Sequence, residues 1–412
     1  MRTPRRTFAL LFVAVATIVP LRSITAQDQR PNIIYVMADD MGCADLSSFG
    51  RTDFTTPNID AFVRSGMKFN NAYAGAPVCT PTRVSFMTGK YPARNPIGLR
   101  EPLTGSPDDV ALGLSPTVPT VSSVLKQNGY ETALFGKWHL GLGQASFPLK
   151  HGFDEFFGIL SGAADYFDHR QVDRNPTTLF KRAVVPLYEN NERVTTTGYL
   201  TDLITEHTTA FIKRKHEKPF FVSVQYTSPH WPWQSPVGGP APDSMLYNET
   251  VDPAIYKEMI LNLDKNFGEI LKAVREAGLE ESTMIIFTSD NGGDRLSNMG
   301  PYQGGKLQLW EGGIRVPAAI RWTNKIAAGI QTDQPIITMD WTATILAAAS
   351  CKQIEALHLD GINLLEYFQH PDRIVPRKFF WRTSNRGRQE AYRSGDWKYL
   401  STGNGEFLFN LA

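Results

Sequence analysis

The feature that most constrains the fold is a repeated alternation of short apolar runs with segments of helical pattern. Four runs rich in Val, Ile and Phe are typical of buried strands, namely residues 32–38, 131–135, 220–226 and 283–288. Helical segments with start and stop signals lie between them, at residues 57–65, 120–128 and 253–277. Because this alternation favours a parallel sheet covered on both faces by helices, the sequence predicts an α/β fold with a mostly parallel central sheet.

Length and charge exclude several classes of protein. The chain has 412 residues, which exceeds the roughly 250–300 at which a single core stops growing, so we expect one large domain with a smaller appendage. The 42 Lys and Arg residues are balanced by 41 Asp and Glu. Because phosphate binding needs concentrated positive charge, we do not expect nucleic acid as a partner.

The first 26 residues are typical of an export signal. Three arginines precede an apolar run over residues 8–19, and Thr25-Ala26 offers a small-residue cleavage site. No run in the chain reaches the roughly 18 apolar residues of a membrane span, so we expect none. The protein is therefore predicted to be exported, and either periplasmic or secreted. The route would be Sec or, given the Arg5-Arg6 pair, the twin-arginine route.

A polar cluster follows each of the four predicted strands. Because ligands in open α/β sheets collect beyond the carboxyl ends of the strands, we expect these clusters to line one crevice. Any one of them could be a helix cap, a tight turn or a surface histidine, but four at the same end favour a functional site. The clusters are Asp39-Asp40 and residues 136–139, 228–230 and 289–293.

The residue types in these clusters point to a metal and an anion. Four of them offer only oxygen ligands, the set preferred by Ca²⁺ or Mg²⁺ over zinc: Asp39, Asp40, Asp290 and Asn291. The three carboxylates would repel one another unless a cation neutralised them. Positive or proton-donating groups would surround the same point: Lys137, His139, His230 and Lys306. By spacing alone Lys306 could equally be a solvated lysine in a glycine-rich turn. The whole set predicts a site for an oxyanion substrate.

Cys79 stands at a predicted helix start. Because Pro81 fits the first turn of that helix, Cys79 would lie at or beside the N-terminus, where backbone N–H groups favour anions. Arg83 follows one turn later, on the same side. The ordinary interpretation is a buried inert cysteine beside a structural arginine, but the surroundings favour a function. Cys43 and Cys351 are expected to be small buried hydrophobes or to pair with each other.

Two long motifs resemble the formylglycine-dependent sulfatases, a branch of the alkaline-phosphatase-like superfamily. The C-x-P-[S/T]-R motif is present as Cys79-Thr80-Pro81-Thr82-Arg83, with threonine where serine is commoner. The second signature, G-Y-x-T-x-x-x-G-K-x-H, spans residues 129–139. The resemblance runs from about residue 31 to the C-terminus. Residues 152–167 and 309–313 look most like the arylsulfatase B-like members, which act on glycans.

The resemblance implies a covalent nucleophile and a metal. A formylglycine-generating enzyme would convert Cys79 to formylglycine, whose aldehyde hydrate supplies the attacking oxygen. Ca²⁺, in preference to Mg²⁺, would be held by the modified residue 79 together with Asp39, Asp40, Asp290 and Asn291.

The same resemblance implies roles for the remaining residues. Arg83 and Lys137 would stabilise the hydrate and the charge of the transferring group. Asp290 would accept a proton during the attack on sulfur, while Lys137, His230 and Lys306 bind the sulfate and the last two assist departure of the alcohol. His139 would then deprotonate the second hydroxyl and release sulfate. These roles match the general needs of anion transfer, namely a metal clamp, cations and a positioned acid and base.

The expected organisation has three parts. They are an export signal over residues 1–26, a sulfatase catalytic domain over 27–376 and a small antiparallel subdomain over 377–412, where short alternating segments are separated by turn signals. Family members usually continue past such a sheet with a helix, so the resemblance leaves open whether the subdomain is truncated.

The implied function is hydrolysis of sulfate monoesters, both of a sulfated carbohydrate and of aryl sulfates. Tyr166, His169 and Trp233 would offer aromatic surface suited to a sugar. Two alternatives stay open. A phosphonate or phosphate monoester hydrolase of the same superfamily can use the same nucleophile and metal ligands. A catalytically silent glycan-binding protein would need the fold without the nucleophile.

Overall fold

The computed structural model of the chain describes residues 30–104, 109, 111–169, 187–239, 252–352 and 354–412. The predicted export signal lies outside these residues. The described strands are β1 (Asn32–Ala38), β2 (Met67–Phe69), β3 (Ala72–Tyr73), β4 (Glu131–Lys137), β5 (Glu155–Ile159), β6 (Leu187–Glu189), β7 (Glu192–Val194), β8 (Phe220–Gln225), β9 (Thr283–Ser289), β10 (Ala318–Trp322), β11 (Ile330–Thr332), β12 (Ile336–Ile337), β13 (Lys378–Thr383), β14 (Gln389–Ser394), β15 (Trp397–Thr402) and β16 (Gly405–Asn410). The described α-helices are α1 (Pro57–Arg64), α2 (Cys79–Thr88), α3 (Val121–Gln127), α4 (Leu200–Ile212), α5 (Pro253–Glu276), α6 (Glu311–Ile314), α7 (Thr338–Ala348) and α8 (Leu365–Gln369).

The large sheet is parallel at its centre and includes antiparallel pairs on both sides of that centre. Its strand order is β11-β2-β10-β9-β1-β8-β4-β5-β6-β7. The neighbours β9, β1, β8, β4 and β5 all run parallel, whereas β10 and β6 pair antiparallel with the strands beside them. The predicted α/β fold with a mostly parallel central sheet is therefore confirmed.

Strand β1 shows how helices come to cover both faces. All seven of its residues are buried, and they alternate between two apolar clusters. Tyr35 packs in the cluster that contains side chains of α2, α3 and α7. Ile34 and Val36 pack in the cluster that contains side chains of α1, α4 and α5. A strand that is buried on both faces needs helices on both sides of the sheet, as the sequence predicts.

Strand β4 is longer than predicted because of Gly136. The expected strand ended at residue 135, but β4 continues through Gly136 to Lys137. Gly136 has a φ of +117°, and a Cβ atom there would lie 1.9 Å from the carbonyl oxygen of Gln225 on β8. A residue with a side chain could not pair so closely. As a result Lys137 is the last residue of β4, and its side chain is fully buried.

The predicted C-terminal antiparallel sheet is also confirmed. Strands β13, β14, β15 and β16 pair in sequence order, each antiparallel to the next. Phe379, Trp381 and Leu400 lie on one face of this sheet and pack against Tyr73 and Leu309 of the larger unit. In the part of the chain that the structure describes, no helix combines the length and apolar character needed to cross a bilayer.

Candidate active site

The predicted polar clusters meet at the carboxyl edge of the central sheet. Asp39 follows β1, Lys137 ends β4, His230 lies beyond β8 and Asp290 follows β9. All four side chains are buried or nearly so. Since these strands are parallel neighbours, their carboxyl ends share one edge, which is the physical reason that residues as far apart in sequence as Asp39 and Asp290 converge.

Cys79 is the first residue of α2 and points its thiol at carboxylates. Val78 before it is extended and gives the helix no side-chain cap. The thiol donates to Asp39 Oδ1 at 3.4 Å and lies 3.9 Å from Asp40 Oδ1. Burial, reinforced by Asp39, raises the pKa of Cys79 well above its usual value. A buried, protonated thiol is a poor nucleophile, so the position suits a modified side chain better than direct thiolate chemistry.

Each carboxylate of the site is paired with a side-chain cation. The pairs are Lys137 Nζ with Asp39 Oδ2 at 2.5 Å, Lys306 Nζ with Asp40 Oδ2 at 2.6 Å, and Arg83 Nε and Nη2 with Asp290 Oδ2 at 3.2 and 2.9 Å. The carboxylate repulsion expected from the sequence is therefore largely offset by the protein itself. Repulsion between carboxylates alone is therefore no argument for a metal ion. The case for a metal site depends instead on buried polar atoms that have no hydrogen-bond partner.

Two observations show that the oxygen-rich side of the site still suits a cation. Burial, with Asp290, raises the pKa of Asp39 to about 8 despite Lys137, and burial also raises the pKa of Asp40 despite Lys306. The amide of Asn291 donates through Nδ2 to Asp40 Oδ1 at 2.7 Å, while its Oδ1 is buried and has no hydrogen-bond partner in the part of the chain that the structure describes. An unsatisfied oxygen beside carboxylates fits a hard divalent ion.

The arrangement of possible ligand atoms differs from the expected set in that His230 joins it and Asp290 does not. Among the described residues, Asp39, Asp40, Cys79 and His230 each place one ligand atom within 4.8 Å of the others. Asp290 instead faces Arg83 and accepts from the backbone N–H of Asp40 at 3.2 Å. Burial would raise the pKa of Asp290, but Arg83 and Lys137 hold it at about 2, so the carboxylate is ionised.

His139 is held as a neutral imidazole. It has a φ of +57°, uncommon for a residue with a side chain, and its Nε2 lies 2.9 Å from the carbonyl oxygen of Leu103. Burial, with Lys137, lowers the pKa of His139 well below its usual value. A carbonyl can only accept, so Nε2 carries the proton and donates. The buried Nδ1, which has no partner among the described residues, is then a free acceptor suited to a general base.

Gln225 is a residue of the site that the sequence reasoning missed. Arg83 Nη1 donates to Gln225 Oε1 at 2.9 Å and to the carbonyl of Lys137 at 3.1 Å, so the buried guanidinium is held on two sides. Gln225 is the last residue of β8, in which every residue is buried. A polar side chain in such a strand is an available signal, because a buried amide needs partners.

The aromatic residues expected to face a sugar are buried instead. Tyr166 and Trp233 are buried. The Tyr166 hydroxyl lies 2.8 Å from the carbonyl oxygen of Thr227 and 3.0 Å from that of His230, and its ring stacks on Tyr199. His169 is also buried, and its Nε2 contacts the carbonyl of Gly198. The expectation of an aromatic stacking surface at these positions is not met, because all three side chains are buried and the Tyr166 hydroxyl bonds the backbone of the loop that carries His230.

Lys306 and His230 both contact Asp40. His230 Nε2 is 3.5 Å from Asp40 Oδ2, the oxygen that Lys306 also contacts. Each of these two side chains is about 10% exposed, whereas Arg83 and Lys137 are 2% and 0% exposed. The spacing interpretation of Lys306 as a solvated turn lysine is therefore wrong. The mouth of the site is the side that carries Lys306 and His230.

Comparison with known proteins identifies the family. A family model described as Sulfatase matches residues 31–351. The chain belongs to the sulfatase family. The recognition made from the two motifs is confirmed, and this sulfatase is a sulfuric ester hydrolase. The three cysteines of the sulfatase are free thiols, so Cys43 and Cys351 do not pair.

Individual relatives agree with this assignment. N-acetylgalactosamine-6-sulfatase of Rattus norvegicus is 31% identical over 370 residues, which cover 87% of this sulfatase and 69% of that protein. Steryl-sulfatase of Homo sapiens is 30% identical, with 86% and 72% covered. The crystal structure of Ps i-CgsB in complex with k-i-k-neocarrahexaose has a TM-score of 0.82 at 31% identity, with 93% and 86% covered. The phosphonate monoester hydrolase of Agrobacterium radiobacter shares the fold, with a TM-score of 0.65 at 18% identity.

Proposed function

We propose that this sulfatase removes sulfate from a sulfated carbohydrate, and also from simple aryl sulfates, by means of a formylglycine formed from Cys79 and a bound Ca²⁺. The observation that carries the proposal is the position of Cys79. Its thiol is buried and protonated at the start of α2, 3.4 Å from a carboxylate, with Arg83, Lys137 and Lys306 around that carboxylate cluster. Such a place suits an oxygen nucleophile and an anionic substrate.

The carbohydrate class is supported by the relatives. The rat enzyme is an N-acetylgalactosamine-6-sulfatase, and Ps i-CgsB was solved with a neocarrahexaose. We extend these substrates to this chain only as a class, sulfated sugars. The proposal includes an exported protein, periplasmic or secreted, that a formylglycine-generating enzyme has matured.

Oxygen ligands on three segments would hold the cation. They are Asp39 and Asp40 after β1, residue 79 on α2, and Asp290 with Asn291 after β9. Among the described residues Asn291 Oδ1 has no hydrogen-bond partner, so a bound cation would satisfy it. When bound, Ca²⁺ supplies charge that binds and polarises a sulfate oxygen. The formylglycine would supply the attacking oxygen.

The side chains around this centre divide into binding and proton-transfer groups. Lys306 and His230 flank the mouth and would bind the sulfate oxygens, with Lys137 beneath them. His230 and Lys306 are also placed to donate to the departing alcohol. Arg83 is fixed by Asp290, Gln225 and the Lys137 carbonyl, and would stabilise charge at residue 79 without having to reorganise.

Two groups would accept protons. His139 is neutral, with its Nδ1 free, so it can take a proton at that atom when sulfate is released. Asp290 is ionised and would accept the first proton, although its pairing with Arg83 makes it a weak base in the arrangement described.

Competing substrates test the reaction class. Matched aryl sulfate and aryl phosphonate monoesters would be compared by kcat/KM, on protein whose residue 79 has been shown to be formylglycine. We expect the sulfate to be the better substrate. Faster turnover of the phosphonate would contradict the proposal and favour the phosphonate or phosphate monoester hydrolase.

A substitution separates an enzyme from a silent glycan-binding protein. Cys79→Ala should abolish turnover of the aryl sulfate. Cys351→Ala, a change at another buried free cysteine, should leave turnover within about twofold, because Cys351 makes no contact to the reacting atoms in the transition state. Retained sugar binding together with absent turnover in the unsubstituted, matured protein would instead favour the binding protein.

A further inference from the structure

The loop that carries Lys306 is tied to both catalytic segments. Lys306 donates its backbone N–H to the carbonyl of Gly293 at 2.9 Å, two residues after Asn291. The N–H of Leu307 donates to the carbonyl of Pro77 at 2.8 Å, two residues before Cys79. These two hydrogen bonds therefore fix the backbone position from which the Lys306 side chain extends to Asp40.

Leu307 adopts a conformation that needs external support. Its φ is +71°, in the left-handed region that residues with side chains seldom occupy. Such conformations persist where the surroundings hold them on both sides. The N–H side of Leu307 is held by Pro77, and the carbonyl side faces the C-terminal sheet.

Gln389 of the C-terminal sheet holds that carbonyl side. It is the first residue of β14 and is buried. Its Nε2 donates to the carbonyl of Leu307 at 3.2 Å, and its Oε1 accepts from the N–H of Leu309 at 3.0 Å. One amide thus spans the turn immediately after Lys306.

Lys398 holds the next part of the same loop. It lies on β15 and is 1% exposed. Its Nζ donates to the carbonyl of Leu309 at 2.6 Å and to Glu311 Oε1 at 2.7 Å. A buried lysine with no role at the reacting atoms is costly unless its hydrogen bonds are needed. Here those bonds all lie within five residues of Lys306.

We propose that the C-terminal sheet positions Lys306 for sulfate binding, with Gln389 and Lys398 as the positioning residues. The inference rests on the proposed role of Lys306 as a sulfate-binding group. A sheet that merely docks on the catalytic domain would need apolar contacts, which Phe379 and Leu400 already supply. The two polar side chains instead contact one short segment, from Leu307 to Glu311, through the backbone of Leu307 and Leu309 and the carboxylate of Glu311.

A double-mutant cycle tests the proposal on matured protein with an aryl sulfate. The variants are Gln389→Leu, Lys306→Met and the two combined, with kcat/KM and inhibition by inorganic sulfate as readouts. We expect Gln389→Leu to lower kcat/KM about tenfold and to weaken sulfate inhibition similarly, the equivalent of about one hydrogen bond. In the Lys306→Met background the same change should cost less than about twofold, because the group it positions is gone.

The control is a second buried glutamine. Gln334 bonds the backbone of Val375 and does not contact the Lys306 loop, so Gln334→Leu should affect stability but neither kinetic readout. If Gln389→Leu does not fold, Lys398→Met and Gln389→Glu replace it. Gln389→Glu keeps the acceptor for Leu309 and should recover part of the loss.

The outcomes separate this inference from the proposed function. If Lys306→Met changes neither kcat/KM nor sulfate inhibition, the proposed role of Lys306 is wrong, and the inference falls with it. Two results would overturn the positioning role alone, provided that Lys306→Met impairs both kcat/KM and sulfate inhibition. In one, Gln389→Leu leaves both readouts unchanged, as Gln334→Leu does. In the other, Gln389→Leu lowers kcat/KM by the same factor whether residue 306 is Met or Lys.

Discussion

Gly162 lies directly against the imidazole ring of His139. A Cβ atom on Gly162 would be 2.6 Å from both Cε1 and Nε2 of that ring, closer than a side-chain carbon can approach. The ring is thereby enclosed between Gly162 and the Leu103 carbonyl, which fixes the proton on Nε2. The position of the proposed base depends on the absence of a side chain at residue 162.

Gly162→Ala should displace His139 and slow turnover. A shift of about 1 Å in a catalytic group can cost on the order of 100-fold, so we expect kcat to fall by about tenfold to 100-fold. The measurement is steady-state turnover of an aryl sulfate by matured protein. Gly403→Ala is the control, because a Cβ at Gly403 meets nothing within 4 Å. Equal kcat values for the two variants would show that His139 is not positioned in this way.

Ca²⁺ should stabilise the folded protein through Asn291. A ligand at about 100 times its dissociation constant adds about 2.7 kcal/mol to the free energy of unfolding. We therefore expect Ca²⁺ to raise the Tm measured by calorimetry, and Mg²⁺ to raise it less. Asn291→Leu should shrink the Ca²⁺ response, because the unpartnered Oδ1 is lost.

Asn262→Leu provides the comparison for that experiment. Asn262 is a buried amide that bonds Asp202, away from the site. Its loss should lower the Tm but leave the increase caused by Ca²⁺ intact. A Tm that does not respond to Ca²⁺ in the unsubstituted protein would argue against the metal site.

Glu311 should make the contact between the C-terminal sheet and the catalytic domain sensitive to acid. Burial would raise its pKa, but Lys398 and Arg315 bring it down from 4.5 to about 2. Because the folded-state pKa is the lower one, this stabilisation is present above pH 4.5 and is lost as the pH falls towards 2. The shift corresponds to about 3 kcal/mol of free energy of unfolding.

Denaturant unfolding at several pH values between 2 and 7 would measure this effect. Glu311→Gln should be less stable at neutral pH and should lose less stability on acidification than the unsubstituted protein. Glu366→Gln, in an exposed pair with Arg373, should follow the unsubstituted curve. Parallel curves for Glu311→Gln and the unsubstituted protein would contradict the assigned role of this buried carboxylate.

The sequence was informative wherever a residue type carries the signal. Asp39 and Asp290 could be placed at one edge because each follows a strand with a run of consecutive apolar residues, and α/β topology brings such ends together. The C-terminal sheet was recognisable from alternation and turns. Glycines gave no such signal, because Gly136 and Gly162 matter through what lies opposite them in space.

The supporting contacts could not be predicted for a related reason. Leu103 acts through a backbone carbonyl, which any residue possesses, so its identity indicates nothing. Gln389 lies 82 positions from Leu307, and their pairing follows from how two sheets pack, which local patterns do not encode. Tyr166 shows the converse. Its aromatic character suggested a sugar platform, but only the structure places it behind His230.

The most direct test of the account is a peptide mass spectrum across Cys79. The protein would be produced in a host with formylglycine-generating activity, beside a known sulfatase as control. The account predicts an aldehyde in place of the thiol at residue 79. An unmodified thiol, found while the control sulfatase is converted, would remove the proposed nucleophile and contradict the central claim.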